Sequence, residues 1–591
     1  MKFCNLHVIT KQMIYKMKPQ IEPLDDLPVI FCIIKKMRVI EAIDSVFVPH
    51  KNWTGITVGE LTAIWLCYLI SQHDHRLSYL EAWASNKLHI LSILLEREVT
   101  IYDFKDDKLE LLLGYFSEQT QWNEFETSID KEAIKIFDLK SDLIEVDATI
   151  GKSFKKAVED GLFQYGNSKQ FRSDLPQFKT MLCTLDALGY PMGSLTVSGN
   201  TADDTLYVPV IEQAMRKLPN TGCLFMGDCK LGSISSRAFI HKNGHYYLCP
   251  LSGVQIKEEE LNAYINDIEN EQIELQKIYK DNQVIAKGYS TIKQLWKINE
   301  QGELIIWNEK RQIVRSYVYA KTQIESFVKR LNNCQTELLG LNIRKQGKRT
   351  FDNKIDLEVE CKRIIKKHKV EKLIDIEITE QETLKQIRRW KNRQAREEIQ
   401  TDYTVKVIRD KDKIQRKKKL LGWRVYATNC TNKDFTLEKI VLLYRKEYII
   451  ERRFDYLKNK TLNLIPIYLR TDEYVIGLIN VLLLALRVIS LIEFEVARNI
   501  EKSGKELAGL YPANPKQTTK SPSVTLILRV FFNLYCIATT DFNNRRMEFE
   551  VTEINPLQKK LLRLLNMPDE IYTKFSKIVT YEQNNVILKI D

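Results

Sequence analysis

The 591-residue chain has no C-x2-C pair; its eleven cysteines are scattered from Cys4 to Cys536. An odd number without paired spacing indicates neither a disulfide framework nor a zinc ribbon, and it suits a reducing cytosol. The opening residues, MKFCNLHVITKQMIYK, lack the apolar run and small-residue cleavage site of a secretory signal, so export is not expected. No internal repeat or low-complexity tract stands out. Apolar residues are not scarce: a hydrophobic content of 44% with 28% charge excludes a mostly disordered chain, and the length calls for several folded units.

One long hydrophobic run is present. Val475 to Phe494, VIGLINVLLLALRVISLIEF, has the length of a bilayer crossing. Arg487 near its middle would cost about 2.5–3.5 kcal/mol in a membrane, against about 0.5 gained per leucine, and Asn480 and Glu493 add to that cost. A buried core helix and no membrane partner are therefore expected.

The formal charge of +12 suggests a polyanionic partner, although spread over this length it would decide little. Its distribution is more informative. Residues 341–420 hold 25 Lys and Arg against 14 Asp and Glu, a surplus of eleven in one region. The stretches CKRIIKKHKV and KDKIQRKKKL within it can track phosphates, or else form solvated helix faces.

Residues 22 to about 135 carry apolar positions at helical spacing. Residues 141–252 change character. DLIEVDATI, FKTMLCTLD and MGSLTVSGN read as strands, the last two joined by ALGYP; Asp203 or Asp204 can cap a helix to about Lys217; GCLFMGD and GHYYLCPLS read as further strands, with a helix between them. Residues 253 to about 420 interrupt this pattern with an acidic helical stretch, strand-like runs around Leu304 to Tyr319, and basic helices. GWRVYATN returns as a strand, a long amphipathic helix is expected from about Thr436 to Lys458, and the rest reads as mainly helical. By analogy, the strand and helix order resembles the ribonuclease H-like fold, a mixed five-stranded sheet flanked by helices.

Asp147 in VDAT and Asp228 in MGDCK each lie near the polar end of an apolar strand, and Glu451 projects from the later helix. A strand-end aspartate is commonly a turn or cap residue and a helical glutamate a solvated face, so their spacing alone is a weak signal. Brought together, they would repel: two unit charges about 4 Å apart cost roughly 4 kcal/mol at an effective dielectric near 20. Divalent cations would remove that penalty, and oxygen donors suit magnesium or manganese. Two such ions about 3.5–4 Å apart can activate a water or 3′-hydroxyl and stabilise the leaving oxygen of a phosphoryl transfer.

YRKEYIIERRFDYLK resembles the Tyr-x2-Arg-x3-Glu-x6-Lys signature of the bacterial insertion-sequence DDE transposases, the IS-four-like superfamily, with Tyr444, Glu451 and Lys458 in register and Glu447 in place of the arginine. DHRLSYLEAWA, YGNSKQFRSDLPQFKTMLCTLDALGYP, SGNTADDTLYVPVI with GDCKLGS, LLLALRVISLIEFEVAR and GLYPANPKQTT are similar to the same group, so the resemblance covers nearly the whole chain and is weakest between residues 255 and 420. It implies that Asp147, Asp228 and Glu451 are the catalytic, metal-holding carboxylates, with two Mg2+ or Mn2+ ions. The implied activity is cleavage at the ends of a mobile element and joining to target DNA. The implied partners are double-stranded DNA (terminal inverted repeats and target) and a second copy of the chain when assembled on it, in the cytoplasm on the nucleoid.

The domain plan implied is a leader at 1–21, a helical DNA-end-binding domain at 22–135, a ribonuclease H-like core in two parts (140–252 and 421–500), an insertion at 253–420 and a helical C-terminal region at 501–591. Tyr444, Arg445, Lys230 and Lys458 are expected DNA contacts; Lys458 lies two α-helical turns beyond Glu451 on the same face. Thr149 and Lys230 flank the aspartates and are candidates for orienting substrate. Some relatives hold a flipped base on an insertion-domain tryptophan, for which Trp296, Trp307 and Trp390 are candidates, though such aromatics are more often core. His73, Asp74 and His75 lack further ligands in helical register, which disfavours a metal site there. Two rival readings remain: a DNA-binding derivative without catalysis, and a two-metal nuclease acting on RNA or unspecific DNA.

Overall fold

In the computed structural model the described residues are 19–166, 174–186, 188–270, 273–343, 351, 353–388, 396–445, 448–541 and 546–580. The chain divides into two compact units, Met1–Tyr247 with Tyr444–Asp591, and Leu248–Leu443.

The first unit opens with strand β1 (Pro19–Pro23) and helices α1 (Leu27–Lys36), α2 (Val39–Val46), α3 (Val58–Gln72), α4 (Ser78–Ser85), α5 (Leu88–Leu95), α6 (Asp106–Ser117) and α7 (Gln119–Ile136). Helix α3 starts at a capping box, where the Thr57 hydroxyl accepts the Glu60 N–H and the Glu60 carboxylate accepts the Thr57 N–H. Asp26, just before α1, is buried with one oxygen accepting the Ser71 hydroxyl at 2.7 Å. Burial pushes its carboxyl up to about 7, so the folded protein holds a proton that the unfolded chain releases near pH 4. The stability linked to that proton is fully present below pH 4 and is lost as pH rises through 7. Asp26→Asn is therefore expected to raise the unfolding temperature at pH 8 and to change it little near pH 4, as read by calorimetry at the two pH values.

Next come β2 (Leu143–Lys152), β3 (Gln177–Leu185), β4 (Tyr190–Ser198), α8 (Tyr207–Met215), β5 (Leu224–Gly227), α9 (Ile234–Lys242) and β6 (Tyr246–Pro250), the strand at which the two units divide. The strands of the first unit lie in the order β4-β3-β2-β5; β2 is antiparallel to β3 and parallel to β5, which makes the sheet mixed. Every residue of β3 is buried, as suits a central strand covered on both faces. The expected aspartate cap of α8 does not form. Asp203 and Asp204 lie in a 3-10 turn, Leu206 is the cap residue, and Asp203 pairs with Lys179 at 2.7 Å instead.

In the second unit α10 (Glu258–Glu269) is shorter than the acidic stretch suggested and gives way to β7 (Gln276–Lys280), β8 (Gln283–Ile298) and β9 (Leu304–Ser316). Helices α11 (Tyr317–Leu339) and α12 (Lys354–His368) follow. The remaining basic segment is not all helical: β10 (Ile374–Ile387) and β11 (Arg396–Arg409) form a fourteen-pair antiparallel ladder before α13 (Lys411–Leu420). Ile374, Ile376 and Ile378 alternate along β10 and pack with Val405 and Val407 against the α11 and α12 core, so period-two burial overrides the charge between them. Strand β12 (Trp423–Thr428) pairs with β9, and α14 (Leu437–Tyr444) ends the excursion.

Back in the first unit, α15 (Tyr448–Asp455) runs into a π-helical turn at Tyr456–Lys460 and is followed by α16 (Asp472–Ser503). Of the single amphipathic helix expected from Thr436 to Lys458, Leu437–Tyr444 and Tyr448–Asp455 are helical and Tyr456–Lys460 is a wider turn; residues 446 and 447, including Glu447 at the signature's arginine position, lie outside the described residues. The C-terminal region is also not only helical. After a short ladder of β13 (Leu507–Ala508) with β14 (Thr518–Thr519) and helix α17 (Val524–Arg529), strands β15 (Tyr535–Asp541), β16 (Arg546–Val551) and β17 (Lys577–Thr580) form an antiparallel sheet with β1 in the order β1-β15-β16-β17.

Helix α16 is long and apolar enough to cross a membrane by length and composition, yet 94% of its most apolar window is buried inside the protein. Gly477 permits close contact with α6, since a Cβ there would lie 2.1 Å from the Leu113 carbonyl oxygen. Arg487 is fully buried and pairs with Glu126 at 2.8 Å and Asp130 at 2.9 Å on α7. Lys217 pairs with the same two carboxylates at 3.1 and 2.7 Å, and the Tyr190 hydroxyl donates to Asp130 at 2.9 Å. Burial raises the Glu126 carboxyl, but Arg487 and Lys217 outweigh it and hold the group below its usual value.

Candidate active site

Strands β2 and β5 run parallel with Val146 opposite Gly227, so the next pair in register is Asp147 with Asp228. Strand spacing sets such neighbours about 4.8 Å apart. Gly227 permits this approach: a Cβ there would lie 2.8 Å from the Val146 carbonyl oxygen and 3.1 Å from the Leu231 side chain. The two aspartates expected from the sequence are thus adjacent where the parallel β2–β5 pairing stops, and both are half-buried. Asp228 follows β5, but Asp147 is not near the end of its strand, because β2 continues to Lys152 against β3.

Asp228 is held in place. The Tyr207 hydroxyl donates to its Oδ1 at 2.6 Å and the Lys230 N–H donates to the same oxygen at 2.8 Å, while the Leu231 N–H donates to its main-chain carbonyl. Tyr207 is buried on α8, and that burial, followed by the charge of Asp228 and its hydrogen bond and by the charge of Asp147, pushes its ionisation far above the usual range. The phenol therefore remains a donor. Asp147 Oδ1 accepts the Ala148 N–H at 2.7 Å.

Glu451 is exposed on α15 and does not complete a cluster with the aspartates. Among the described residues no group of three or more His, Cys, Asp or Glu is arranged to hold a metal ion. Its helix is nevertheless tied to the strand that bears Asp147. The Ile450 N–H, adjacent to Glu451, donates to Oε2 of buried Glu145 at 3.1 Å. Glu145 and Asp147 are two apart on β2 and share one face of that strand. A carboxylate at the first turn of α15 also suits the positive end of the helix dipole.

The other end of α15 is fixed by Glu493 of α16. Its carboxylate accepts from Arg452 at 3.0 Å, Arg453 at 2.8 Å, the Tyr456 hydroxyl at 2.8 Å and the Val524 N–H at 2.8 Å. Arg453 also donates to the Leu188 carbonyl. The arginines after Glu451 therefore act as anchors of its helix. Hydrogen bonds to charged groups contribute about 1.5–3 kcal/mol. Glu493→Gln is accordingly expected to speed hydrogen exchange in Tyr448–Asp455 by about tenfold or more while leaving β3 unchanged, as read by mass spectrometry; an unchanged α15 would show that the carboxylate does not hold it.

The remaining expected site residues are dispersed. Lys230 and Arg445 are exposed, Tyr444 is 8% exposed at the end of α14, and Thr149 is buried on β2. Lys458 is half-buried in the π turn, where more residues per turn shift it off the α-helical face of Glu451, so the two-turn register does not hold. Trp307 is buried at 3% exposure, Trp296 is exposed at 66%, and Trp390 lies outside the described residues. The His73 ring is within hydrogen-bond distance of the Thr461 carbonyl and Asp74 pairs with Arg76. Sequence reasoning passed over Tyr207, Glu145 and Glu493. Glu145 did carry a signal, as a second carboxylate inside an apolar strand.

No curated protein matches the chain in sequence. Among solved structures, the cryo-EM structure of a piggyBac transposase synaptic complex with hairpin DNA is similar over 87% of this chain and 81% of that one, at 9% identity and a TM-score of 0.33. The family described as transposase DDE domain matches residues 138–487, a span that takes in Asp147, Asp228 and Glu451. With more than half of its length matched, the chain belongs to the transposase DDE domain family.

Proposed function

We propose that the protein is a DNA transposase of the cut-and-paste type, which cleaves at transposon ends and transfers the strand to target DNA with divalent metal ions, in the IS-four-like branch suggested by Tyr444, Glu451 and Lys458. The observation that carries this reading is the in-register pair Asp147 and Asp228 within a matched transposase domain. The sheet order β4-β3-β2-β5 with a parallel β2–β5 pair supports a ribonuclease H-like core. Two carboxylates at strand spacing repel by about 3–4 kcal/mol at an effective dielectric near 20. Their hard oxygen donors fit Mg2+ or Mn2+. Asp147 and Asp228 would hold such an ion, and Glu451 is the third donor by the family pattern, although it is not gathered with them here.

When bound, the metal supplies Lewis-acid stabilisation of the phosphoryl oxygens and lowers the pKa of an attacking water or hydroxyl. The chain's own residues orient the donors: Tyr207 and the Lys230 N–H fix Asp228, while Glu145 and Glu493 hold the helix that bears Glu451. Lys230 and Arg445, both exposed, are proposed contacts to DNA phosphates. A second copy is proposed to join when two ends are held together.

The test is incubation of purified protein with DNA bearing the element's terminal inverted repeats, with Mg2+, Mn2+ or chelator. Metal-dependent cutting at the repeat ends followed by joining is expected. One alternative is a transposase-derived DNA-binding protein without catalysis. Sequence-specific binding with no cutting under any metal would establish that alternative and overturn the enzymatic reading.

A further inference from the structure

Asp228 has two oxygens, and the fold uses only one. Oδ1 accepts the Tyr207 hydroxyl at 2.6 Å and the Lys230 N–H at 2.8 Å, which fills its two lone-pair directions. Among the described residues Oδ2 takes no protein donor. Tyr207 is 1% exposed, so its ring is packed on all sides and its hydroxyl has little freedom to leave. Residue 207 lies on α8, outside the strands and helix that bear the three family carboxylates, so the contact depends on how α8 packs over the sheet.

We propose that Tyr207 is a positioning residue: its hydroxyl, with the Lys230 N–H, occupies Oδ1 of Asp228 so that the carboxylate presents Oδ2 to a divalent cation shared with Asp147. This rests on the reading of the aspartate pair as a cation site. Rotation of a carboxylate exchanges its two oxygens and lets it bind a cation through either or both. Two donors on one oxygen block that exchange and fix the free oxygen in one direction. A neutral phenol does this without adding negative charge, whereas a lysine or arginine there would neutralise the carboxylate and compete with the cation. Partners that orient metal ligands typically contribute 10–100-fold to metal affinity.

The experiment is titration calorimetry of Mn2+ into the full-length protein. Wild type is expected to bind, Asp228→Asn to lose binding, and Tyr207→Phe, which keeps the ring, to raise Kd by about 10–100-fold with an unchanged unfolding temperature in chelator. Tyr190→Phe serves as the control, because it removes a buried phenol bonded to a different aspartate, Asp130, and it is expected to bind Mn2+ as wild type does. A wild-type Kd for Tyr207→Phe would overturn the proposal, as would equal weakening in Tyr207→Phe and Tyr190→Phe. Should Tyr207→Phe not fold, Lys230→Pro compared with Lys230→Ala removes the other donor to the same oxygen, and equal Kd values for that pair would overturn it. Absence of Mn2+ binding by wild type would remove the metal reading itself.

Discussion

Asp228→Ala is expected to reduce strand cleavage by about 10³-fold or more while leaving binding to the DNA ends within a few-fold of wild type. The asymmetry follows from where each activity resides. Cleavage on the proposed reading needs both aspartates on one cation, and alanine removes one of the two and deprives the Tyr207 hydroxyl of its acceptor. DNA affinity comes mostly from neutralising phosphates with lysines and arginines, none of which this substitution touches. Removing a negative charge from a surface that faces a polyanion even favours binding slightly. Asp228→Asn is expected to match it, because an amide keeps the shape but not the anionic oxygen. Agarose-gel cleavage and mobility-shift assays on the same preparations separate the two activities, and cutting that survives in either variant would remove Asp228 from the chemistry.

Truncation of Arg487 is expected to have the largest effect on stability. Arg487→Ala strands Glu126 and Asp130, which are 1% and 0% exposed, leaving Lys217 as the one cation paired with them among the described residues. Breaking a buried ion pair from one side costs about 3–5 kcal/mol, to which the lost packing of a fully buried side chain adds. The expected result is a lower unfolding temperature for the first unit and reduced soluble yield, as read by circular dichroism and calorimetry. The double variant Arg487→Met with Glu126→Gln is expected to recover much of the loss, since it removes one charge of each sign, fills the volume and leaves Lys217 paired with Asp130. A double variant no more stable than Arg487→Ala would show that the network's geometry, and not its charge balance, is what holds α16 against α7.

The candidate aspartates were legible before folding as residues, though not their setting. Asp147 and Asp228 stood out as carboxylates in apolar strands; Asp228 does follow the end of β5, whereas Asp147 lies inside β2, which runs on to Lys152 because β3 pairs with it beyond the reach of β5. The helical reading of Val475 to Phe494 was legible from Arg487 near its middle, and the partners that make the burial of Arg487 tolerable, Glu126 and Asp130, lie on α7. The β10–β11 ladder was not legible, because its isoleucines alternate among so many charges that composition pointed to a basic helix. Nor were the C-terminal strands, since β15 pairs with β1 more than five hundred residues away and local propensity carries no record of that partner. Nor was the π turn after α15 legible, because the apolar periodicity runs on through the signature into Tyr456–Lys460.

By itself the sequence determined which residues carry charge in apolar surroundings and which family text surrounds Glu451, because these depend on neighbours within a few positions. Only the tertiary structure decided that Tyr207 grips Asp228 and that Glu145 and Glu493 clasp the two ends of α15. Each of these is a contact between segments far apart in the chain, fixed by the packing of helices on a sheet, and a linear pattern contains no term for that distance.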